Sequence, residues 1–563
     1  MASELDAVYR YHDGTKHHFH QFARSPGYLD WASQPRPFRR FSGAASVPLF
    51  PAPDGPPAPA RPRLAYDQLF LPSAALSSAA LSLTAAALGD LLRHALGLSA
   101  WKQFRESRWP LRVNPSSGNL HPTEAYVVTG ALDGLSEAPS VFHYAADRHA
   151  LERRCVFDSA AWPTVGDAGD DVCLVALTSI HWRESWKYGE RAFRYCQHDL
   201  GHAIAALRLA AALVGWRAML LPEWPQRDIA ALTGIDRDED YIEAEREEPA
   251  CILAITVRGA NDVVRRAESR EALVRAVRGG HWSGRASQLS EDHVQWTFID
   301  EVALATEDRG RPRPAFPAFP AFPALPALPA LATLPARPAL PAPPAREIIL
   351  RRRSALAFDG RSSLGVDRFF AMLARVVPGP HAPWDAIWWT PRIHLVLFVH
   401  RVDGLDPGLY FLPRDVAVID RVKSASRPEF LWENAAPLVC LARGDYRDLA
   451  ARLSCGQDIA ADGFFSLGML ADFDRSLQEF GPAFYRHLFW ESGVIGQVLY
   501  LEAEAALARA TGIGCFFDDP VHDVMGFSGH AFQSLYHFTV GMPVEDGRLT
   551  TAPGYEWETD GHR

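Results

Sequence analysis

Five short segments carry side chains whose types and spacing could bind a polar planar ligand or move a proton. The run Asn114 to Pro122 reads NPSSGNLHP: Ser116, Ser117 and Asn119 supply short donors and acceptors, and Gly118 lets the backbone approach a flat ligand closely. The same run also makes an ordinary turn. Trp186 to Arg191 (WKYGER) holds Lys187 and Tyr188, whose ordinary pKa values of about 10.4 and about 10 require a perturbing environment before either accepts a proton. Neighbours on a helix diverge, so both face one substrate only near a helix end, which Gly189 permits; a surface lysine beside a packed tyrosine is the alternative. Arg346 to Phe358 (REIILRRRSALAF) sets Arg351, Arg352 and Arg353 before Ser354. On a helix these point about 100° apart, so one or two reach a phosphate with the Ser354 hydroxyl, or the face is simply solvated. Thr511 to Pro520 (TGIGCFFDDP) offers backbone amides around Gly512, Gly514 and Cys515 to a ring nitrogen, and Asp519 before Pro520 reads as a helix N-cap. The spacing is not G-x-G-x-x-G, so a dinucleotide fold is not indicated. In KHHFH, residues 16–20, no carboxylate or cysteine completes a metal set with His17, His18 and His20, and the segment reads as a polar tail.

The elements that must position these groups mix helix and strand. Ala203 to Val214 and Val494 to Ala508 are apolar and alanine-rich and read as buried helices. Glu124 to Thr129, Cys251 to Val257, His394 to His400 and Tyr536 to Val540 are rich in β-branched and aromatic residues and read as strands. Helices around a mixed sheet, in two copies, is an α+β design. Residues Arg311 to Pro344 place proline at nearly every third position, which favours an extended polyproline rod, and Pro48 to Pro62 is a second such patch. The expected units are a tail (1–63), a first domain (64–300), a linker (301–345) and a second domain (346–563).

A chain of 563 residues accommodates two to four domains. The net charge of −10 argues against a nucleic-acid partner. Seven scattered cysteines, none in a C-x-x-C pair, fit a reducing compartment without zinc or a redox disulfide. No apolar run is long enough for a bilayer and no signal peptide opens the chain, so the expected location is cytoplasmic.

A weak internal repeat joins the halves. Leu207 to Ala211 aligns with Leu499 to Ala503, which sets Gly201 on Gly493 and Asp199 on Glu491 at a spacing of 292. Asp133 to Leu135 aligns with Asp403 to Leu405 at a spacing of 270, so the second half carries about 22 extra residues between the two anchors.

Taken together, the segments resemble the flavin-dependent nitroreductase superfamily, and more narrowly its SagB-type or azoline-dehydrogenase branch, as a tandem fusion. Tyr11 to His17, Leu29 to Trp31 and Gln34 to Phe38 resemble the opening of SagB-type proteins. The resemblance implies that Arg352, Arg353 and Ser354 hold the phosphate and ribityl chain of FMN. It implies further that Pro115, Ser116, Ser117 and Asn119 touch the flavin from the opposite half, that Gly512, Gly514 and Cys515 lie near flavin N5, and that Lys187 and Tyr188 are the pair acting in azoline oxidation. Family members are homodimers with two shared sites. Here the first half lacks an Arg-Arg-Ser opening, and the second has Trp388 to Pro391 in place of the serine loop and Glu479 and Phe480 opposite Lys187 and Tyr188. One FMN per chain is therefore expected, in a monomer that is its own pseudo-dimer, the second site being empty or used otherwise.

The activity so implied is proton abstraction by Lys187 or Tyr188 with hydride transfer to flavin N5, on an azoline in a peptide or related small-molecule natural product. Peptide-modifying enzymes are the expected partners. Two rivals remain open: an NAD(P)H-dependent reductase of nitro, quinone or enone compounds, and a non-catalytic peptide-binding or maturation subunit.

Overall fold

The computed structural model describes residues 2–50, 64–71, 80–162, 172–257, 267–312 and 343–558. Most of both proline-rich stretches, 51–63 and 313–342, lies outside the described residues.

Each half is an antiparallel sheet backed by helices, and the strand orders correspond. The first sheet runs Ala150–Val156, Ser140–Ala145, Thr123–Thr129, Val172–Ser179, Glu248–Thr256, Arg217–Leu220, with short strands added at its Ala150–Val156 edge. The second runs Leu438–Arg443, Gly408–Leu412, Ile393–Val399, Phe465–Asp472, Phe532–Gly541, Arg509–Ile513, with Glu433–Ala435 outside Leu438–Arg443. A parallel bridge from Ser354 to Ala510 extends the second sheet's far edge. The strands at each centre, VCLVALTS and FSLGMLAD, are buried along their whole length, as short unbroken apolar runs predict.

The repeat spacings reappear as geometry. Helices His181–Tyr188 and Ala192–Leu213 have counterparts Phe473–Phe480 and Phe484–Ala505, each displaced by 292 at both ends. Thr123 pairs with Ser179 and Ile393 with Ala471, displacements of 270 and 292. Both long helices begin about ten residues before their apolar stretches, because their first turns are buried too and carry aromatic and charged residues. They pack on one another where Gly201 meets Gly493. A Cβ on Gly201 would lie 2.2 Å from the Trp490 carbonyl oxygen, and one on Gly493 2.2 Å from that of His198. The Trp490 indole donates to Gln197 beside this contact (2.8 Å).

The two ends of the chain cross between halves. Strand Thr550–Pro553 pairs with Leu98–Phe104 of the first half. Residues 2–14 form a helix, and the segment read as a polar tail is docked instead of solvated: Lys16 and His17 are buried, the Lys16 ammonium lies 3.1 Å from Asp519, and the His17 amide donates to Asp518 (2.9 Å). Helix Thr297–Ala305 crosses the boundary expected at residue 300. Among the described residues, no helix is long and apolar enough to cross a membrane.

Candidate active site

A cavity of about 450 Å³ lies between the halves. From the first half its wall takes Pro115, Ser116, Ser117, Asn119 and Tyr188, and from the second Arg352, Arg353, Ser354, Gly512, Gly514 and Cys515. Lys187 is not on the wall; its Nζ lies 5.2 Å from the centre of the Tyr188 ring. Helix His181–Tyr188 ends at Gly189, whose φ of 57° stops it there, so the adjacent pair sits at a helix end as the sequence requires.

The arginines depart from the helical expectation. The helix is only Ala345–Arg351, and the chain leaves it at Arg352. Arg352, Arg353 and Ser354 therefore lie in extended chain, where the 100° divergence does not apply. Arg352 donates to the carbonyls of Arg112 (2.8 Å) and Val113 (3.2 Å), which clamps the halves together. Arg353 donates to the carbonyls of Leu350, Arg352 and Ser99. Burial and the adjacent Arg352 guanidinium push Arg353 down to about 9, with Glu504 opposing the shift. Lys102 and Arg509 share this end of the cavity, and the nearby carboxylates are taken by other arginines: Glu545 by Arg509 (2.7 Å) and Glu504 by Arg351 (3.3 Å). A cationic end bonded mainly to carbonyls suits a phosphate, and the volume suits a cofactor.

Ser354 Oγ lies 3.0 Å from the Tyr500 hydroxyl, which also accepts the Gly512 amide (2.9 Å). The Gly512 amide is thus engaged, contrary to the expectation that it is open to a ring nitrogen. Gly512 is needed for room: a Cβ there would sit 2.0 Å from the Tyr536 oxygen, and one on Gly514 would sit 2.5 Å from the Tyr195 ring. The following helix starts at Asp518 with Phe517 at its N-cap, so Asp519 lies inside the first turn and does not cap it. Asp518 instead receives Arg191 and Arg194 of the first half (2.9 and 2.8 Å).

Among the wall residues that the sequence reading did not place in the site are Lys102, Tyr195, His202, Tyr500 and Asp199. Asp199 accepts from the Ser117 amide (3.0 Å) and hydroxyl (3.2 Å) and so holds the serine loop. Its repeat partner Glu491 holds the equivalent loop through Trp389, Arg392 and Ile393, with the buried Arg414 as counterion. Asp199 has no such arginine, and burial raises it to about 7. Because this value lies above the unfolded one of about 4, the stability supplied by the neutral carboxyl is complete below about pH 4 and is lost as pH rises through about 7. Asp199→Asn keeps an acceptor for Ser117, so it should raise the melting temperature more at pH 8.5 than at pH 5.5. Equal shifts at the two pH values would show that Asp199 does not titrate in this range.

The equivalent place in the other half is packed. Phe480, at the position of Tyr188, meets Trp388 edge-on at 5.7 Å and stacks on Phe484, and Arg311 lies over the Trp388 ring at 5.1 Å.

This fold is that of a nitroreductase-like α+β pair, and residues 79–255 match the nitroreductase family model. The chain is similar to a crystal structure from Anabaena variabilis assigned as a nitroreductase, with 21% identity, a TM-score of 0.65, and 96% of this chain and 99% of that one covered. Smaller matches include the E. coli microcin synthetase McbBCD complex with truncated pro-MccB17 bound (17% identity, TM-score 0.27, 35% of this chain and 70% of that one). Another is an NADPH:FMN oxidoreductase from Vibrio harveyi complexed with NAD+ (13%, 0.23, 35% and 68%). No curated protein sequence matches the chain.

Proposed function

We propose that the chain is an FMN-dependent oxidoreductase of the SagB-type, azoline-dehydrogenase kind, a tandem fusion in which one chain completes one flavin site. The observation that carries this reading is the division of the cavity: a cationic end from the second half faces the serine loop and Tyr188 of the first, while aromatic rings fill the equivalent place. Arg353, Lys102 and Arg509 would receive the phosphate, with Ser354 and the 115–119 loop beside the ribityl chain and ring. When bound, FMN supplies the hydride acceptor. The chain supplies position and proton handling. Burial, with the Glu184 carboxyl next in effect, pushes the Tyr188 phenol well above its ordinary value, so Tyr188 stays protonated and orients the substrate. The proton acceptor is then Lys187, whose Nζ lies 5.2 Å from the centre of the Tyr188 ring. The substrate is an azoline ring in a peptide or related natural product, handled alongside peptide-modifying enzymes in the cytoplasm. A single chain needs no second copy.

Titration of cofactor-free protein with FMN should saturate near one per chain, and a value near two would defeat the one-site reading. Lys187→Ala should keep FMN while slowing azoline oxidation by about 100-fold or more. Undiminished turnover, or rapid anaerobic bleaching by NADPH with no azoline oxidation, would replace this function with another.

A further inference from the structure

Among the described residues, one cluster of three metal-capable groups is present, and it adjoins the cavity: His17, Cys455 and Cys515, with ligand atoms all within 4.8 Å of one another. All seven cysteines are free and none lies in a C-x-x-C pair, yet the fold brings two thiols together across sixty residues of chain. Cys455 sits at φ 56° in the turn after helix Arg447–Leu453, and Cys515 follows the strand Arg509–Ile513 on the cavity wall. Their sulfurs are 2.8 Å apart, and His17 Nδ1 is 3.8 Å from Cys515. A tetrahedral zinc with bonds of about 2.3 Å would hold two thiolates about 3.8 Å apart, whereas a disulfide closes them to about 2 Å. The separation of 2.8 Å lies between the two.

We infer that Cys455 and Cys515 are a redox-active dithiol in the cavity wall, oxidised by a hydroperoxide to a disulfide, with His17 positioning and polarising the Cys515 sulfur. The Cys515 thiolate attacks the peroxide and the O–O bond breaks; the leaving oxygen takes a proton and departs as water, or as alcohol from an organic peroxide. Cys515 is then a sulfenic acid. The Cys455 sulfur attacks it, the S–O bond breaks, a second water leaves with the Cys455 proton, and the S–S bond forms. Two thiols lose two electrons and the peroxide gains them. The electrostatics agree with this division of roles. The bond from Cys455, then His17 and the Arg191 charge, bring Cys515 down to about 5 against the cost of burial, while Cys455 is raised and stays a thiol. The other five cysteines are buried with their thiols pushed up, and only this pair is partly exposed. Flavin binding plays no part in the inference.

The test uses the full chain treated with hydrogen peroxide. The expected result is the loss of two titratable thiols, a mass 2 Da lower by the standard loss of two hydrogens, and a cross-linked peptide pair containing Cys455 and Cys515. In Cys455→Ser, dimedone should label Cys515; in Cys515→Ser it should label neither. His17→Ala should move the pH profile of Cys515 alkylation upward, and an unmoved profile would remove His17 from the site. Retention of all seven thiols after excess peroxide would overturn the inference. So would one equivalent of tightly held zinc whose removal alone frees the two cysteines, which would make the cluster a metal site.

Discussion

Arg353→Met should weaken FMN binding by about 10- to 100-fold while leaving riboflavin binding unchanged. Arg353 is half-buried beside Arg352, donates to the carbonyls of Leu350, Arg352 and Ser99, and is depressed to about 9 by desolvation and the Arg352 charge. A charge-assisted contact of this kind contributes about 1.5–3 kcal/mol, which is the stated fold-change. Riboflavin lacks the phosphate, so it reports on the rest of the cavity and acts as the internal control. The free protein should lose little stability, because methionine fills similar volume and the change relieves the repulsion between Arg352 and Arg353. Titration calorimetry with both ligands, and melting temperatures with and without FMN, check this. A parallel loss of both ligands would mean that Arg353 shapes the cavity without holding the phosphate.

How much of this was legible in sequence differs by the kind of interaction. The long helices, the central strands and the 292 and 270 spacings were readable because apolar periodicity and residue identity are local properties that a repeat preserves. The pairing of Gly201 with Gly493 follows from the same register, since two copies related by a twofold bring equivalent residues face to face at the axis. The serine loop and the Gly512 turn were readable as segments, but the engagement of the Gly512 amide by Tyr500 was not, because Tyr500 belongs to a different element. Asp199 was aligned with Glu491 without any sign that it differs chemically. The difference lies in Arg414, a residue from a remote strand end that reaches one acid and has no counterpart beside the other. The docked N-terminal segment and the Cys455–Cys515 approach were hidden for the same reason: neither has a local spacing to betray it. The helical reading of Arg351 to Arg353 failed because the helix ends at Arg351 and Ser354 bridges Ala510.

Substitution of Gly493 should drive the two long helices apart. A Cβ there would meet backbone, 2.2 Å from the His198 oxygen and 2.8 Å from both the Gly201 Cα and the His202 nitrogen, so no side-chain rotation relieves it and the helices must part. Alanine favours a helix over glycine by about 1 kcal/mol, and overpacking costs about 1–3 kcal/mol or more where backbones collide; a net loss of about 2 kcal/mol is expected. The loss should reach the cavity as well, because Tyr195, Asp199 and His202 on one helix and Tyr500 on the other form its walls. Gly493→Ala should therefore lower both the melting temperature and FMN affinity. Gly547→Ala, where a Cβ meets nothing within 4 Å, should lower neither. The double change Gly201→Ala with Gly493→Ala should cost less than the two single changes added, since helices already parted by the first Cβ have made room for the second. Full additivity in denaturant midpoints would show that the two glycines are not one contact, and with that the helix crossing would no longer be what joins the halves.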